Sequence, residues 1–589
     1  MNLHIDSPER AIAHATGVAQ SGALEEAVGL FQRALQHFGY RADLLTNLGL
    51  TLARLGRSDE AVHALRNALL LDPRLREAHL NLGLSLLGQK RFEEAAAVFQ
   101  QALTLFPNDS GALDGLGLVA HQQGYLHKAQ SHYERAVAAD PNNEQSRLNL
   151  ANSLIESLRG DEGLAVLREM AKAGCSNTIA SNYLMSLQYS DRISAAEILQ
   201  ETLRVRGQTA TPDMIGAKPI ALGARPRVGL VSGDFKAHPV GWFLKGVVAH
   251  LAQSFELHAY ANQTQEDQVT GQLRPHMHRW RAIAGLSDAQ ACALMRQDEL
   301  DLLIDLSGYT AGHRLDVFER RAAPRQASWL GYFGTTGVSQ MDYILLDAEH
   351  APHAHQRHFT EQIVHIEPIR MCFSPPPYAG AVSPPPCQRN GLITFGSFNN
   401  TAKINTTTVA MWARCLKAVP DSRMIIKWKS LVEPATKNRL RELFAVHAIN
   451  PARLYFQSAS AHDAMLEEYS EVDIALDTFP FTGGTTTCEA LWMGVPVVTC
   501  RGDRPVSRQT AAMLAAVGLG DLAADSADEF AAIAMRLCRN TQDLGDLRQG
   551  MRERLTQSPL FDPQRFAQAF IPALWDILKR PAGGTGARP

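Results

Sequence analysis

Apolar positions in the first third of the chain recur at helical spacing inside a longer period. Small residues return at Ala15, Gly49, Gly83, Gly117 and Ala151, alanines at Ala27, Ala61, Ala95 and Ala129, and bulky apolar residues at Phe31, Leu65, Phe99 and Tyr133, each series stepping by 34 residues. A fourth series runs Ala34, Ala68, Ala102, Ala136, and prolines close three units at Pro73, Pro107 and Pro141. Two helices per unit follow from this. The small positions let paired helices approach, the bulky one fills the gap between neighbouring units, and proline stops the second helix.

That period is the tetratricopeptide pattern. An α solenoid is expected over 8–177, with units 8–41, 42–75, 76–109 and 110–143 and a degenerate fifth at 144–177, where Gly163 and Met170 replace alanines. Asn47, Asn81 and Asn149 repeat at one offset on the first helices, with Gly115 breaking the series. Such a ladder can hold an extended acceptor peptide through its backbone, whatever the peptide's sequence; equally, it can only solvate a groove.

Beyond a helical linker at 178–225 the texture changes to short apolar runs alternating with helical stretches, the mark of parallel sheets. Strands are expected in RVGLVSGDF (Arg227–Phe235), FELHAYAN (Phe255–Asn262), LDLLIDLSGYT (Leu300–Thr310), ASWLGYFGTTG (Ala327–Gly337) and DYILLD (Asp342–Asp347), giving a first Rossmann-like lobe at 226–380. The proline-rich stretch Ser374–Cys387 reads as an extended connector. A second lobe, 388–580, contains GLITFGSFNN (Gly391–Asn400), SRMIIKW (Ser422–Trp428), RLYFQ (Arg453–Gln457), VDIALDTFP (Val472–Pro480) and GVPVVT (Gly494–Thr499). Two such lobes place their strand C-termini across a shared cleft. The tail Pro581–Pro589 is expected to be disordered.

The stretch Gly483–Val498, GGTTTCEALWMGVPVV, carries the sharpest chemistry. Gly483 and Gly484 let backbone approach a ligand, and Thr485, Thr486 and Thr487 bring hydroxyls to the unpaired amides of a helix start, an anion site suited to a diphosphate. Glu489, one turn inside, is placed to take the two hydroxyls of a ribose. The competing reading is an ordinary capped helix of an α/β domain.

Charge is nearly balanced, 57 Lys+Arg against 60 Asp+Glu, which argues against wholesale electrostatic binding of nucleic acid. The eight cysteines form no CxxC pair, which argues against both a zinc site and a disulfide framework, and no metal ligands are expected. The acidic start MNLHIDSPER and the lack of any apolar run of roughly 18 residues lead to the expectation of a cytoplasmic protein without a membrane span.

Repeats followed by two lobes resemble the protein O-GlcNAc transferases of glycosyltransferase family 41. The similarity is carried by DFKAHPVGWF (Asp234–Phe243), Gly308–Gly337, MDYILLD (Met341–Asp347), FNNTAKI (Phe398–Ile404), Asp473–Thr499 and GDRPVSR (Gly502–Arg508). The resemblance implies a GT-B fold and metal-independent, inverting transfer of a sugar from a uridine diphosphate sugar to Ser or Thr hydroxyls, with no cofactor. It makes Lys403 the phosphate-binding cation, Asn400 a neighbour of the phosphates, and Tyr332, Gly334 and Thr335 part of the sugar pocket. Asp234 and His238, four apart in a loop, join the active site with the identity of the base left open. Departures surround the sugar and the base: Phe333 replaces a proline, Ala402 an aromatic, Gly484 a histidine, and His462 stands where a uridine-contacting lysine is expected. The same fold using GDP-fucose or UDP-glucose, or a non-catalytic scaffold, are the alternatives.

Overall fold

The computed structural model describes residues 7–172, 175–207, 216 and 223–581; the tail expected to be disordered lies outside them, apart from Pro581. The chain parts into two compact units, one reaching to Leu154 and including Ile283–Gln290, the other made of Ile155–Ala282 and the chain from Ala291 onward.

In the first unit the leading helices of successive repeats begin at Pro8, Ala42, Arg76, Ser110 and Glu144, and their partners at Leu24, Ser58, Phe92 and Leu126, all in steps of 34. Ala27, Ala61, Ala95 and Ala129 are fully buried, as are Leu65, Phe99 and Tyr133. A Cβ on Gly83 would overlap the ring of Phe99, and one on Gly117 the ring of Tyr133, so the small and bulky series are the two halves of one contact. The helices end at Leu71, Leu105 and Ala139, two residues before each proline.

The second unit holds two parallel sheets. The first runs in the order β3-β2-β1-β4-β5-β6-β7, with β1 Arg227–Ser232, β2 Glu256–Ala261, β3 Arg279–Ala282, β4 Leu302–Asp305, β5 Gln326–Ser328, β6 Tyr343–Leu346 and β7 Gln362–His365. The second runs β10-β9-β8-β11-β12-β13, with β8 Ile393–Ser397, β9 Ser422–Lys427, β10 Leu454–Gln457, β11 Ile474–Leu476, β12 Val497–Cys500 and β13 Ala523–Ala524. Each order reverses between its first strand and the one that follows a crossover, at β1/β4 and at β8/β11. Those reversals are where open α/β sheets receive ligands. Three strands had no apolar run to betray them: β3 is the polar edge RWRA, β7 is an edge, and β13 has two residues.

The helices Gly160–Met170, Asn177–Leu187 and Ala195–Arg206 belong to this second unit and are bonded to both lobes. Gln188 donates to Tyr332 in the first lobe at 3.1 Å, while the Ala195 amide donates to Asp503 at 3.0 Å and Thr407 to Asp191 at 2.6 Å in the second. Glu349 of the first lobe accepts from Arg501 (2.9 Å) and Arg508 (3.3 Å) of the second. The last helix, Pro563–Lys579, crosses back: Phe566 and Phe570 pack on Trp329 beside β5, and Arg325 donates to the Arg580 carbonyl. Among the described residues no helix is long and apolar enough to cross a membrane.

Candidate functional site

Lys403 ends a short turn, Thr401–Lys403, that follows β8 and is capped by Asn400, whose Oδ1 accepts from the Ala402 amide at 3.0 Å. Asn400 thus shapes the loop that presents the lysine. The ammonium donates to Asn399 Oδ1 (3.3 Å) and to the Thr482 carbonyl (3.0 Å), and it lies 4.6 Å from the ring centroid of Phe481. Burial pushes its pKa down to about 8 against the opposing pull of Asp477.

The helix Thr485–Trp492 begins after β11, with Gly484 as its N-cap and no side-chain cap. Helix geometry leaves the amides of Thr485 and Thr486 without intrahelical partners. Thr486 Oγ1 donates to Asn399 Oδ1 at 3.1 Å, the atom that also receives Lys403. Thr485 Oγ1, on the residue before, is a buried hydroxyl without a hydrogen-bond partner. The structure brings cation, hydroxyls and helix start together. Two members of the stretch turn elsewhere. Thr487 is buried and pairs with Thr510 at 3.0 Å, and the Gly483 amide donates to Asp477 at 2.8 Å, so Gly483 serves the turn. A Cβ on Gly483 would collide with Thr487, whereas one on Gly484 would only touch Gln509 Oε1 at 3.9 Å.

Glu489 is buried and accepts from His462 Nε2 at 2.7 Å. That bond raises the imidazole pKa above its usual value, with burial opposing. His462 Nδ1 is 2.7 Å from Tyr378 Oη, and the Trp242 ring lies near-parallel to the imidazole with centroids 6.5 Å apart. Tyr378 comes from the proline connector and Trp242 from the first lobe, so this polar and aromatic group is assembled from three segments.

Asp234 follows β1. It lies buried with Oδ2 3.5 Å from His238 Nδ1, and Lys236 Nζ is 3.9 Å from Oδ1. His238 also opens the helix Pro239–Leu244, accepting from the Val240 amide at Nδ1 (3.4 Å). Asp234 and the helix start therefore compete for one nitrogen. Burial holds His238 below the ordinary imidazole range and Asp234 above the ordinary carboxylate range, each partly offset by the other. The imidazole is neutral at neutral pH and able to take a proton.

Tyr332 and Thr335, expected at the sugar, are buried with their polar atoms in use. Tyr332 Oη accepts from Gln188, and Thr335 Oγ1 donates to Glu361 at 2.7 Å. Gly334 and Thr335 line a separate crevice with Gln188, His355, Asp503 and Arg504. Their link to Lys403 is indirect: Phe333 meets Phe481 edge-on with centroids 5.2 Å apart, and Phe481 underlies the ammonium.

Of the asparagine series, Asn47 donates to the Asp43 carbonyl (2.9 Å) one turn back, and Asn149 is held by the buried Asp114 at 3.0 and 3.1 Å. Phe99 explains the gap, because it fills the space in which a Cβ on Gly115 would stand. Asn399, Phe481, Tyr378 and Trp242 were missed in the sequence. Asn399, Trp242 and Phe481 did lie within the motifs FNNTAKI, DFKAHPVGWF and Asp473–Thr499; Tyr378 left no signal.

The Glycosyl transferase family 41 model matches residues 208–371 and 388–570, more than half of the chain, and tetratricopeptide repeat models match 46–110 and 111–143. A Solanum lycopersicum protein named probable UDP-N-acetylglucosamine–peptide N-acetylglucosaminyltransferase SPINDLY is 36% identical over 349 residues, covering 58% of this chain and 37% of its own length. The Arabidopsis thaliana protein of that description named SEC is 27% identical over 358 residues, 58% of this chain and 36% of its own length. The chain thus spans well under half the length of these plant relatives. A solved structure of a mutant O-GlcNAc transferase from Thermobaculum terrenum superposes with a TM-score of 0.73 at 28% identity, over 91% of this chain and 97% of that one.

Proposed function

The chain belongs to glycosyl transferase family 41, and from that premise we propose that it moves N-acetylglucosamine from UDP-GlcNAc to Ser or Thr hydroxyls of polypeptides, with the repeat groove holding the acceptor. The meeting of Lys403, Thr486 and the Thr485 helix start at the β8/β11 reversal supports this reading above all else. In inverting transfer the acceptor oxygen forms its bond to the anomeric carbon as the carbon–oxygen bond to the diphosphate breaks, and the departing nucleotide gains charge. An ammonium and helix-start amides stabilise that charge without reorganising, so the reading calls for no metal. Glu489 takes the ribose hydroxyls, with His462 and Trp242 beside the uracil.

The hydroxyl proton goes to the Asp234–His238 pair. When Asp234 holds the Nδ1 proton, Nε2 is left as the acceptor; when the Val240 amide occupies Nδ1, it is not. The plant and bacterial relatives whose names carry UDP-N-acetylglucosamine or O-GlcNAc favour that donor over GDP-fucose or UDP-glucose.

Incubation of the purified protein with labelled UDP-GlcNAc, UDP-glucose or GDP-fucose and a cell lysate, followed by mapping of modified peptides, tests the reading. Label on Ser or Thr from UDP-GlcNAc alone is expected. Label only from another donor would replace the sugar, and none from any donor would leave a scaffold.

A further inference from the structure

The first sheet holds a group of side chains for which sugar transfer has no use. Glu256 and His258 stand two apart on β2, and His278 lies immediately before β3, its amide donating to the Leu257 carbonyl at 2.7 Å. One ligand atom from each of the three lies within 4.8 Å of the others. The register pairs Arg227 with Glu256 and His258 with Arg279, so the group sits where these parallel strands begin. Asp234 follows the opposite end of β1, roughly 20 Å away at the rise of a six-residue strand.

His258 is 2% exposed, and neither of its ring nitrogens has a hydrogen-bond partner. Buried imidazoles almost always find partners, so two orphaned nitrogens inside a polar group point to a ligand. Asp298 does not supply one: its nearer oxygen stays 3.9 Å from Nδ1 and its carboxylate already accepts from Tyr260, Arg279 and Arg281. The cations nearby are accounted for. Arg279 and Arg281 are held on Asp298 at 2.7 and 2.6 Å, and Arg227 stands 3.7 Å from Glu256.

We propose that Glu256, His258 and His278 bind a divalent transition-metal ion of the zinc type, with water as fourth ligand, tying β2 to β3 at the end of the sheet remote from the cleft. Two imidazoles and a carboxylate are donors that zinc accepts at about 2.0–2.2 Å, so ligand atoms as much as 4.8 Å apart need to close by up to about 1.4 Å. The ion strengthens a polar edge strand and takes no part in the reaction.

The test uses the full chain, stripped with a chelator and titrated with Zn²⁺ by calorimetry and with Co²⁺ by visible absorption. His278 is exposed, so His278→Ala leaves the core untouched, and Glu256→Gln provides a second variant. The comparison is between variants, so that weak uptake by other histidines of the chain cancels. Wild type is expected to bind one more equivalent of Zn²⁺ than His278→Ala, to show the d–d bands of four-coordinate Co²⁺, and to melt higher with zinc. Glu256→Gln should bind that equivalent at least about tenfold more weakly. Transfer from UDP-GlcNAc should be unchanged by His278→Ala. Equal stoichiometry and identical Co²⁺ spectra in wild type and both variants would overturn the proposal.

Discussion

Lys403 and Thr486 meet on a single atom, Asn399 Oδ1, the ammonium donating at 3.3 Å and the hydroxyl at 3.1 Å. One neutral amide oxygen satisfies two donors there, and a diphosphate arriving at the same point offers both a charged acceptor. Lys403→Met should therefore lower the transfer rate by about 10²–10³ while leaving the melting temperature of the chain within a few degrees. Wild-type turnover by this variant would sink the phosphate role.

The same lysine sets a pH dependence. Because burial brings its pKa down to about 8, it is charged below that pH and increasingly neutral above it. Affinity for UDP should fall as pH rises through 8, and binding near pH 8 should take up a proton, since the diphosphate raises the lysine's pKa again. Calorimetry in buffers of different ionisation enthalpy reads both; an affinity flat from pH 7 to 9.5 contradicts the assignment.

Glu489→Gln keeps the shape of the carboxylate but weakens its hold on His462 and on ribose hydroxyls. The Michaelis constant for donor should rise by roughly tenfold, about 1.4 kcal/mol, with kcat little changed. Inorganic diphosphate, which has no ribose, should bind the variant as it binds wild type. Equal losses for both ligands would move Glu489 out of nucleoside recognition.

His238→Ala and Asp234→Asn separate the two candidates for the proton. If the imidazole is the acceptor, His238→Ala should cost about 10²–10⁴ in rate and erase the acidic limb of the pH–rate profile. Asp234→Asn should shift that limb instead. A profile unchanged in His238→Ala removes the ring from proton handling.

In the repeats, Gly115→Asn would complete the asparagine series on paper. The ring of Phe99 occupies that space, so the substitution should destabilise the array by about 1–3 kcal/mol. Thermal melting and circular dichroism measure this; a neutral result would mean Phe99 repacks freely.

The repeat array was legible because its signal is redundant: Leu65, Phe99 and Tyr133 must each meet a small residue, and that pairing recurs at every turn of the period. Lys403 and the Thr485 helix were legible because glycines, hydroxyls and a cation after apolar runs are chemistry written locally. What the sequence could not convey was direction. Nothing in a run of three threonines says that Thr487 faces Thr510 inside the fold, and nothing around Tyr332 says that its hydroxyl accepts from Gln188. Nor does a proline connector announce that its one tyrosine reaches His462. The cysteine pattern argued against any zinc site, but it speaks only to thiol ligands; Glu256, His258 and His278 meet only once β2 and β3 are side by side.

The final helix, returning from the second lobe to cover Trp329 with Phe566 and Phe570, means that severing the molecule at its waist does not yield two halves. A fragment stopping at the connector would leave a large indole ring wet, and a fragment starting there would carry an apolar helix with nothing to lie on. The first lobe completes its core only with the helix Pro563–Lys579, so losing that last helix injures the sheet encoded first.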